Sequence, residues 1–236
     1  MSCNFKNLAI IPARGGSKRI PSKNIRDFCG QPIIAYPITV AKSSGIFDRV
    51  IVSTDSIEIG KISERYGADV PFIRPKELAD DHTDTDAVVL HFIDWVKSNW
   101  GQPDYICCIY PTAIFLKEEY LKKGFDILKR NKAISAFSVT SFSSCIFRAL
   151  QITKEGRIKM FWPEYRKSRS QDLPMAYHDA GQFYWIDARK YVVEGKLFSS
   201  DSVPVVIPNK FVQDIDTLED WERAENMFKL LSSEEK

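Results

Sequence analysis

Short apolar runs alternate with stretches of helical periodicity along most of this chain. Leu8-Ala9-Ile10-Ile11 is a continuous apolar run ended by Pro12. It predicts a strand buried on both faces, as in a parallel sheet. Val50-Ile51-Val52-Ser53 predicts a second strand, after a helical stretch from Ile33 to Ser44, and Asp69-Val70-Pro71-Phe72-Ile73 a third, after a helix marked by Ile57, Ile62 and Tyr66. Between Thr85 and Trp100, the residues Val88, Val89, Phe92, Ile93, Val96 and Trp100 share one helical face. Tyr105 to Tyr110 reads as another buried strand, ended by Pro111. A helix from Glu118 to Lys129 and a strand from Ala133 to Val139 follow. Gln182-Phe183-Tyr184-Trp185-Ile186 resumes the sheet. Leu218, Trp221, Ala224, Met227 and Leu231 line one face of a last helix, and the tail from Ser232 to Lys236 is expected to fray. The alternation predicts an α/β fold with helices on both faces of a parallel sheet. Ligands then bind at the carboxyl ends of the strands, which directs attention to the segment after each one.

The pattern breaks from Thr140 to Pro174. This stretch has weak periodicity but holds Phe142, Phe147, Phe161, Trp162 and Tyr165, too many aromatics for a solvated loop. Two readings fit: an excursion that buries its apolar side chains against a second subunit, or a hairpin lid packed on its own domain.

Composition narrows the class. The 236 residues fit one large domain, and 44% hydrophobic content suffices for a core without disulfide or zinc support. A formal net charge of +2, from 33 basic and 31 acidic residues, gives no sign of nucleic-acid binding. The five cysteines (Cys3, Cys29, Cys107, Cys108 and Cys145) include no C-x-x-C, so neither a disulfide framework nor a zinc knuckle is expected. Cys107 and Cys108, in an apolar run, read as buried side chains. The first residues do not read as a signal peptide, and no apolar run approaches the ~20 residues of a membrane span. The expected setting is cytoplasmic, with no membrane partner.

Two segments carry candidate chemistry on their residues alone. After the first strand comes Pro12-Ala13-Arg14-Gly15-Gly16-Ser17-Lys18-Arg19-Ile20-Pro21-Ser22-Lys23-Asn24. Paired glycines let backbone N–H groups approach a ligand, and Arg14, Lys18, Arg19 and Lys23 suit a polyphosphate. Neither a Walker A loop nor a dinucleotide fingerprint is present, and a basic surface turn is the plainer alternative. Near the other end, Gln213-Asp214-Ile215-Asp216-Thr217 holds two aspartates at i and i+2, which point to one side of an extended segment. Such a pair suits Mg²⁺; alternatively, Asp216 with Glu219 forms a helix capping box. Between them, Thr83-Asp84-Thr85 reads as a helix N-cap. Of the histidines, His91 reads as a core-edge residue, and only His178 lies near a candidate site.

The first loop resembles the signature of the acylneuraminate cytidylyltransferases, the CMP-sialic acid synthetase family. The likeness continues through Phe28-Cys29-Gly30-Gln31-Pro32-Ile33-Ile34-Ala35-Tyr36, Val52-Ser53-Thr54-Asp55, Arg74-Pro75-Lys76-Glu77-Leu78-Ala79-Asp80-Asp81 and Gln213-Asp214-Ile215-Asp216-Thr217. It implies a three-layer, Rossmann-like nucleotide-diphospho-sugar transferase fold with a mostly parallel sheet and a protruding dimerisation excursion. It also implies that Ala13, Arg14, Gly15, Ser17, Lys18 and Asn24 cradle CTP, that Arg74, Thr83 and Thr85 read cytosine, and that Asp214 and Asp216 hold Mg²⁺. Arg14, Lys18, Lys23 and Asp216 would carry the catalysis. The tract from Arg169 to Tyr184 is similar to the family's acceptor-sugar region, which implies sugar contacts from Tyr110, Arg169, Gln171, Tyr177, Asp179 and Gln182, with Arg169 suited to a sugar carboxylate.

Two departures bear on the acceptor. The sialic-acid enzymes typically read Gln-Pro-Thr-Ser where this chain has Tyr110-Pro111-Thr112-Ala113, and they carry Asn where it has Asp179. A phenol in place of an amide changes the hydrogen bonds on offer. These tracts, with Phe161-Trp162-Pro163-Glu164-Tyr165, resemble the branch of the family that takes pseudaminic acid. The implied partners are CTP, a nine-carbon acidic sugar and a second copy of the chain. An N-acetylneuraminate synthetase, a glycosyltransferase and a non-catalytic nucleotide sensor are the rival readings.

Overall fold

The computed structural model describes residues 5–234; Cys3 and the tail residues Glu235 and Lys236 lie outside them. In chain order the strands are β1 (Asn7–Pro12), β2 (Asp27–Phe28), β3 (Gln31–Pro32), β4 (Arg49–Ser53), β5 (Tyr105–Ile109), β6 (Ser135–Ser141), β7 (Leu150–Ile152), β8 (Ile158–Met160), β9 (Tyr177–Asp187) and β10 (Ser202–Val206). The α-helices are α1 (Ala35–Ser43), α2 (Ile57–Arg65), α3 (Thr85–Asn99), α4 (Glu118–Asn131), α5 (Ala188–Glu194) and α6 (Leu218–Glu234).

A six-stranded sheet in the order β10-β6-β9-β5-β1-β4 forms the middle layer. The period-two alternation of strand side chains splits the core in two. Ala9, Ile11, Val50, Val52, Cys107, Ile109, Phe183 and Trp185 face α1, α2 and α4. Leu8, Ile10, Ile51, Ile106, Cys108, Tyr184 and Ile186 face α3 and α5. The continuous apolar runs of the sequence are therefore strands covered on both sides. Gly124 lets α4 press against β9: a Cβ there would lie 2.8 Å from the Phe183 ring and 2.9 Å from the Trp185 ring. A third cluster, around Ile20, Phe28, Ile33, Ile215 and Trp221, packs α6 onto the first loop.

Three expectations change. Asp69 to Ile73 makes only isolated bridges, Ile51 to Asp69 and Thr54 to Ile73, because Pro71 cannot donate to a ladder. The segment through Gln182 belongs to a longer strand that runs antiparallel to both β5 and β6. The first half of β9 therefore lies at the same sheet edge as the carboxyl ends of β1, β4 and β5, which the pattern alone left open. Finally, α5 and β10 have no counterpart in the periodicity reading; α5 is short and β10 carries Pro204.

The excursion occupies residues 142–176, between β6 and β9. It contains the β7–β8 hairpin and short 3₁₀ turns. Phe147 packs on Trp162 and Tyr165 within it, whereas Leu150, Ile152, Ile158, Phe161 and Met175 are exposed, Ile152 to 80%. The chain's own domain does not bury these side chains. Among the described residues, no helix is long and apolar enough to cross a membrane.

Candidate active site

The loop after β1 is held from below and from both sides. Ala13 is buried, and its N–H donates to the Ser53 carbonyl at 2.9 Å. Gly15 N–H donates to Asp55 Oδ1 at 2.8 Å, and the buried Asn24 amide donates to the Arg14 carbonyl at 2.9 Å. These bonds shape residues 13–16 into a fixed turn at the carboxyl end of β1. The cations rise from it. Arg14 Nη1 donates to the Asp80 carbonyl and to Asp81 Oδ1, each at 2.7 Å. Lys18, 81% exposed, also pairs with Asp81. Ser17, Lys18, Arg19, Lys23 and Asn24 line a cavity of about 340 Å³ with Arg14 and Asp81.

The acidic pair meets this loop. Lys23 Nζ donates to the Ile215 carbonyl at 2.7 Å and lies 3.6 Å from Asp216 Oδ1; Arg19 Nη2 lies 3.0 Å from the same oxygen. Asp214 and Asp216 line a cleft of about 470 Å³ with Pro12, Arg14, Arg19, Lys23, Asn24, Arg74, Thr83, Asp84, Thr85, Tyr110 and Thr112. Arg14, Arg19, Lys23 and Asn24 border both cavities, so segments some two hundred positions apart share one site. A larger concavity of about 860 Å³ runs along the outside of α2; its walls are the mixed charged and aliphatic side chains of a single helix, and no chemistry converges there.

The expected capping box is shifted by one residue. Asp220 Oδ2 accepts from Thr217 N at 2.9 Å, while Thr217 Oγ1 accepts from Asp220 N at 3.2 Å. Thr217 and Asp220 thus close the start of α6, and Glu219 pairs with Arg223 instead. Asp216 is left for the cleft. Burial and the neighbouring Asp216 charge raise the pKa of Asp214. Two carboxylates that repel each other in a partly desolvated setting fit a divalent cation. Among the described residues no cluster of three or more His, Cys, Asp or Glu could hold a metal, so an ion here would take its other oxygens from substrate and water, as Mg²⁺ commonly does.

The far wall of the cleft is polar and buried. Arg74 is 4% exposed and borders the cleft, with Nε and Nη2 unpartnered; burial pulls its pKa down, and Asp55 opposes that shift. Asp84 caps α3 by accepting from Ala87 N at 2.8 Å, and Thr83 and Thr85 flank it in the lining. The cap and the ligand-facing wall are one segment. The Thr85 hydroxyl lies 2.9 Å from the Tyr110 hydroxyl.

The expected sugar residues divide. Tyr110 lines the cleft. Asp179 sits next to Tyr110's neighbour Tyr184, accepting from the Tyr184 hydroxyl and, at 2.9 Å, from Gly181 N. Tyr177 is exposed at the base of the excursion. Gln182 is 3% exposed, and its amide donates to the Phe211 carbonyl; it is absent from the cleft lining because its side chain ties β9 to the segment before Asp214. Arg169 pairs with Asp172 at 2.6 Å, and Gln171 lines a groove within the excursion with Phe142, Cys145 and Met175. Neither borders the cleft of its own chain. His178 packs on Phe142 rather than entering the cleft, and His91 packs on Phe72 at the edge of the core. Asp55, Asp81 and Thr112 were not among the expected site residues. Asp55 and Asp81 stand inside quoted motifs, and a carboxylate beside a cationic loop was the available signal.

A cationic glycine loop at the carboxyl edge of an α/β sheet, opposed by paired carboxylates, suits a nucleotidyltransferase. A family model described as Cytidylyltransferase matches residues 8–228, and the chain belongs to the cytidylyltransferase family. It is 44% identical over 226 residues to a pseudaminic acid cytidylyltransferase of Campylobacter jejuni, covering 96% of this chain and 97% of that one. It is 29% identical over 222 residues to an N-acylneuraminate cytidylyltransferase of Escherichia coli, covering 93% of this chain and 51% of that one. A solved CMP:2-keto-3-deoxy-manno-octonic acid synthetase complexed with CTP shares the fold, with a TM-score of 0.71 at 14% identity, over 95% of this chain and 99% of that chain.

Proposed function

We propose that the protein transfers the cytidylyl group of CTP to pseudaminic acid, giving CMP-pseudaminic acid and pyrophosphate. The observation that carries the reading is the junction at Lys23: one ammonium ties the polyphosphate loop to the backbone of the acidic pair, 2.7 Å from the Ile215 carbonyl and 3.6 Å from Asp216. The 44% identity to the Campylobacter enzyme, against 29% to the E. coli neuraminate enzyme, favours pseudaminic acid over N-acetylneuraminate.

In the proposed reaction the anomeric hydroxyl of the sugar attacks the α-phosphorus in line, and pyrophosphate leaves. Positioning and charge neutralisation supply most of the rate. The Gly15–Gly16 backbone, Ser17 and Asn24 seat the phosphates, while Arg14, Lys18 and Lys23 take up the charge that develops on the leaving group. Arg74, Thr83 and Thr85 form the wall against the base. Mg²⁺ held by Asp214 and Asp216 would polarise the phosphates and make the attacking hydroxyl more acidic. Tyr110, Tyr177 and Asp179 stand at the sugar end.

Arg169 and Gln171 enter this reading through a homodimer. The exposed apolar face of the β7–β8 hairpin supports a second copy as its cover, and the excursion's polar residues would then serve a site formed by two chains. The proposed setting is cytoplasmic. Pyrophosphate release with CTP, Mg²⁺ and a panel of nine-carbon sugar acids tests the assignment: pseudaminic acid should be the best acceptor, and a preference for N-acetylneuraminate would replace it.

A further inference from the structure

The acidic pair stands on a stretch of chain with little structure of its own. A 3₁₀ turn covers Asn209–Phe211 and α6 starts at Leu218; residues 212–217 between them form neither helix nor strand. Two carboxylates that must converge on one cation then depend on what grips their backbone from outside. Lys23 supplies one grip, donating to the Ile215 carbonyl at 2.7 Å. Gln182 supplies another, its amide nitrogen donating to the Phe211 carbonyl. Asp214 lies between the two, three residues after the first anchored carbonyl and one before the second.

Gln182 joins this segment to the opposite wall of the cleft. Its carbonyl accepts from Tyr110 N at 2.9 Å, and Tyr110 lines the cleft. Its N–H donates to Ser138 Oγ at 3.2 Å. The residue sits where the register of β9 against β6 slips, with Phe137 opposite Tyr184 but Val139 opposite Asp179, and such bulges re-aim side chains beside active sites. Packing alone does not account for an amide here. Gln182 is 3% exposed, and its Oε1 has no partner among the described residues. A buried polar atom left unpaired costs stability, and an aliphatic side chain of the same length would fill the space without that cost. A second tie lies nearby: the buried Thr140 hydroxyl donates to Asn209 Oδ1. Thr140 on β6 and Gln182 on β9 flank the excursion, so both of its roots hold the segment that leads to Asp214.

We propose that Gln182 is a positioning residue for the reaction: by holding the Phe211 carbonyl it fixes the backbone that carries Asp214, so that the Asp214 and Asp216 carboxylates converge on one divalent cation. This inference rests on the reading of the acidic pair as the metal-binding pair of a cytidylyl transfer.

Three variants of the full-length enzyme test it, with Mn²⁺ as the probe. Calorimetry compares the affinity for the Mn²⁺–CTP complex with that for metal-free CTP; the ratio reports what the carboxylates add. Gln182→Met keeps the side-chain length and removes the donor. It should cut the ratio about tenfold, as loss of a residue that orients metal ligands does, and lower kcat with Mg²⁺. The affinity for metal-free CTP should stay at its wild-type value, because the 13–24 loop is untouched. Thr140→Val is close to isosteric and leaves the exposed Asn209 to water; it should shift the ratio in the same direction by less. Ser138→Ala is the control. It removes the support beneath β9 without touching the Phe211 carbonyl, so it should lower the unfolding midpoint and leave the ratio unchanged. A wild-type ratio in Gln182→Met overturns the proposal. So does a loss that Ser138→Ala reproduces, since general loosening of β9 then explains it. If Gln182→Met does not fold, Thr140→Val against Ser138→Ala decides in the same way. A wild type that binds Mn²⁺–CTP no better than metal-free CTP also ends the positioning role. Ratios that behave as expected while no sugar acid yields pyrophosphate would instead sink the proposed function and leave the role of Gln182 standing.

Discussion

The nucleotide end of the cleft and the 142–176 excursion are built from the same materials, cations set among hydroxyls and aromatics, yet the fold treats them in opposite ways. At the nucleotide end four contacts tie the backbone to distant neighbours: Ala13 N–H to Ser53, Gly15 N–H to Asp55, and the Asn24 and Lys23 side chains to the Arg14 and Ile215 carbonyls. In the excursion the hydrogen bonds are local, as between Arg169 and Asp172, and the large apolar side chains are left uncovered. Preorganisation within one chain is what electrostatic catalysis needs. The difference separates a part preorganised within one chain from a part whose apolar side chains its own chain leaves exposed, and which, on the proposed reading, a second copy would cover.

The largest expected effect is on the rigid side. Asp216→Asn should lower turnover with CTP and Mg²⁺ by about a hundredfold or more, with the unfolding midpoint little changed because Asp216 is partly exposed. Pyrophosphate release close to the wild-type rate would remove the acidic pair from the reaction. Lys18→Ala follows, with a smaller loss, about tenfold to a hundredfold in kcat/KM for CTP, and no loss of stability from so exposed a side chain. A CTP dependence equal to the wild type's would show that the triphosphate does not reach this cation.

On the other side of the comparison, Ile152→Asp in the hairpin should leave the secondary structure intact and shift the molecular mass in sedimentation from two chains to one. Monomers should keep most of their CTP binding and lose sugar turnover. A variant that remains dimeric places the interface elsewhere, and a wild type that is monomeric at every concentration ends the dimer proposal. Within the core, Gly124→Ala should cost about 1–3 kcal/mol in urea unfolding, since the added methyl meets two packed aromatic rings at 2.8 and 2.9 Å. An unchanged midpoint would mean that α4 shifts freely over β9.

What the sequence disclosed divides along the same line. Strands buried on both faces announce themselves by composition, so β1, β4 and β5 were legible, as was the helical face from Val88 to Val96. The loop of Arg14, Lys18 and Lys23 was legible as a turn after a buried strand, and the fold sets it at the carboxyl end of β1 beside the acidic pair. Asp69 to Ile73 looked like a strand because an apolar run does not reveal whether its backbone finds a partner. The reversed direction of β9 was invisible, since period-two alternation is the same in either direction. With it went the place of Gln182, whose amide donates to the Phe211 carbonyl, and of Tyr184, a buried aromatic by pattern whose hydroxyl donates to Asp179. The Asp216 capping box failed by a single position, the scale at which spacing alone cannot choose between Glu219 and Asp220.

The smallest expected effect concerns a residue with two competing roles. Asp81 holds Arg14 at 2.7 Å and also pairs with Lys18, and its pKa is lowered by those same two cations. As an organiser, it would support CTP binding by keeping the cations in place. As a competitor, it would occupy the charges that the triphosphate needs. The geometry favours the competitor. Arg14 Nη1 keeps its 2.7 Å bond to the Asp80 carbonyl without Asp81, so little order is lost, whereas an acidic charge beside the phosphate path is removed. Exposed pairs contribute little to stability, so folding should not register the change. Asp81→Asn should therefore lower the KM for CTP about twofold to fivefold at low ionic strength, with the gain shrinking as salt screens it. A raised KM would reverse the assignment and make Asp81 part of the rigid frame on which the nucleotide end depends.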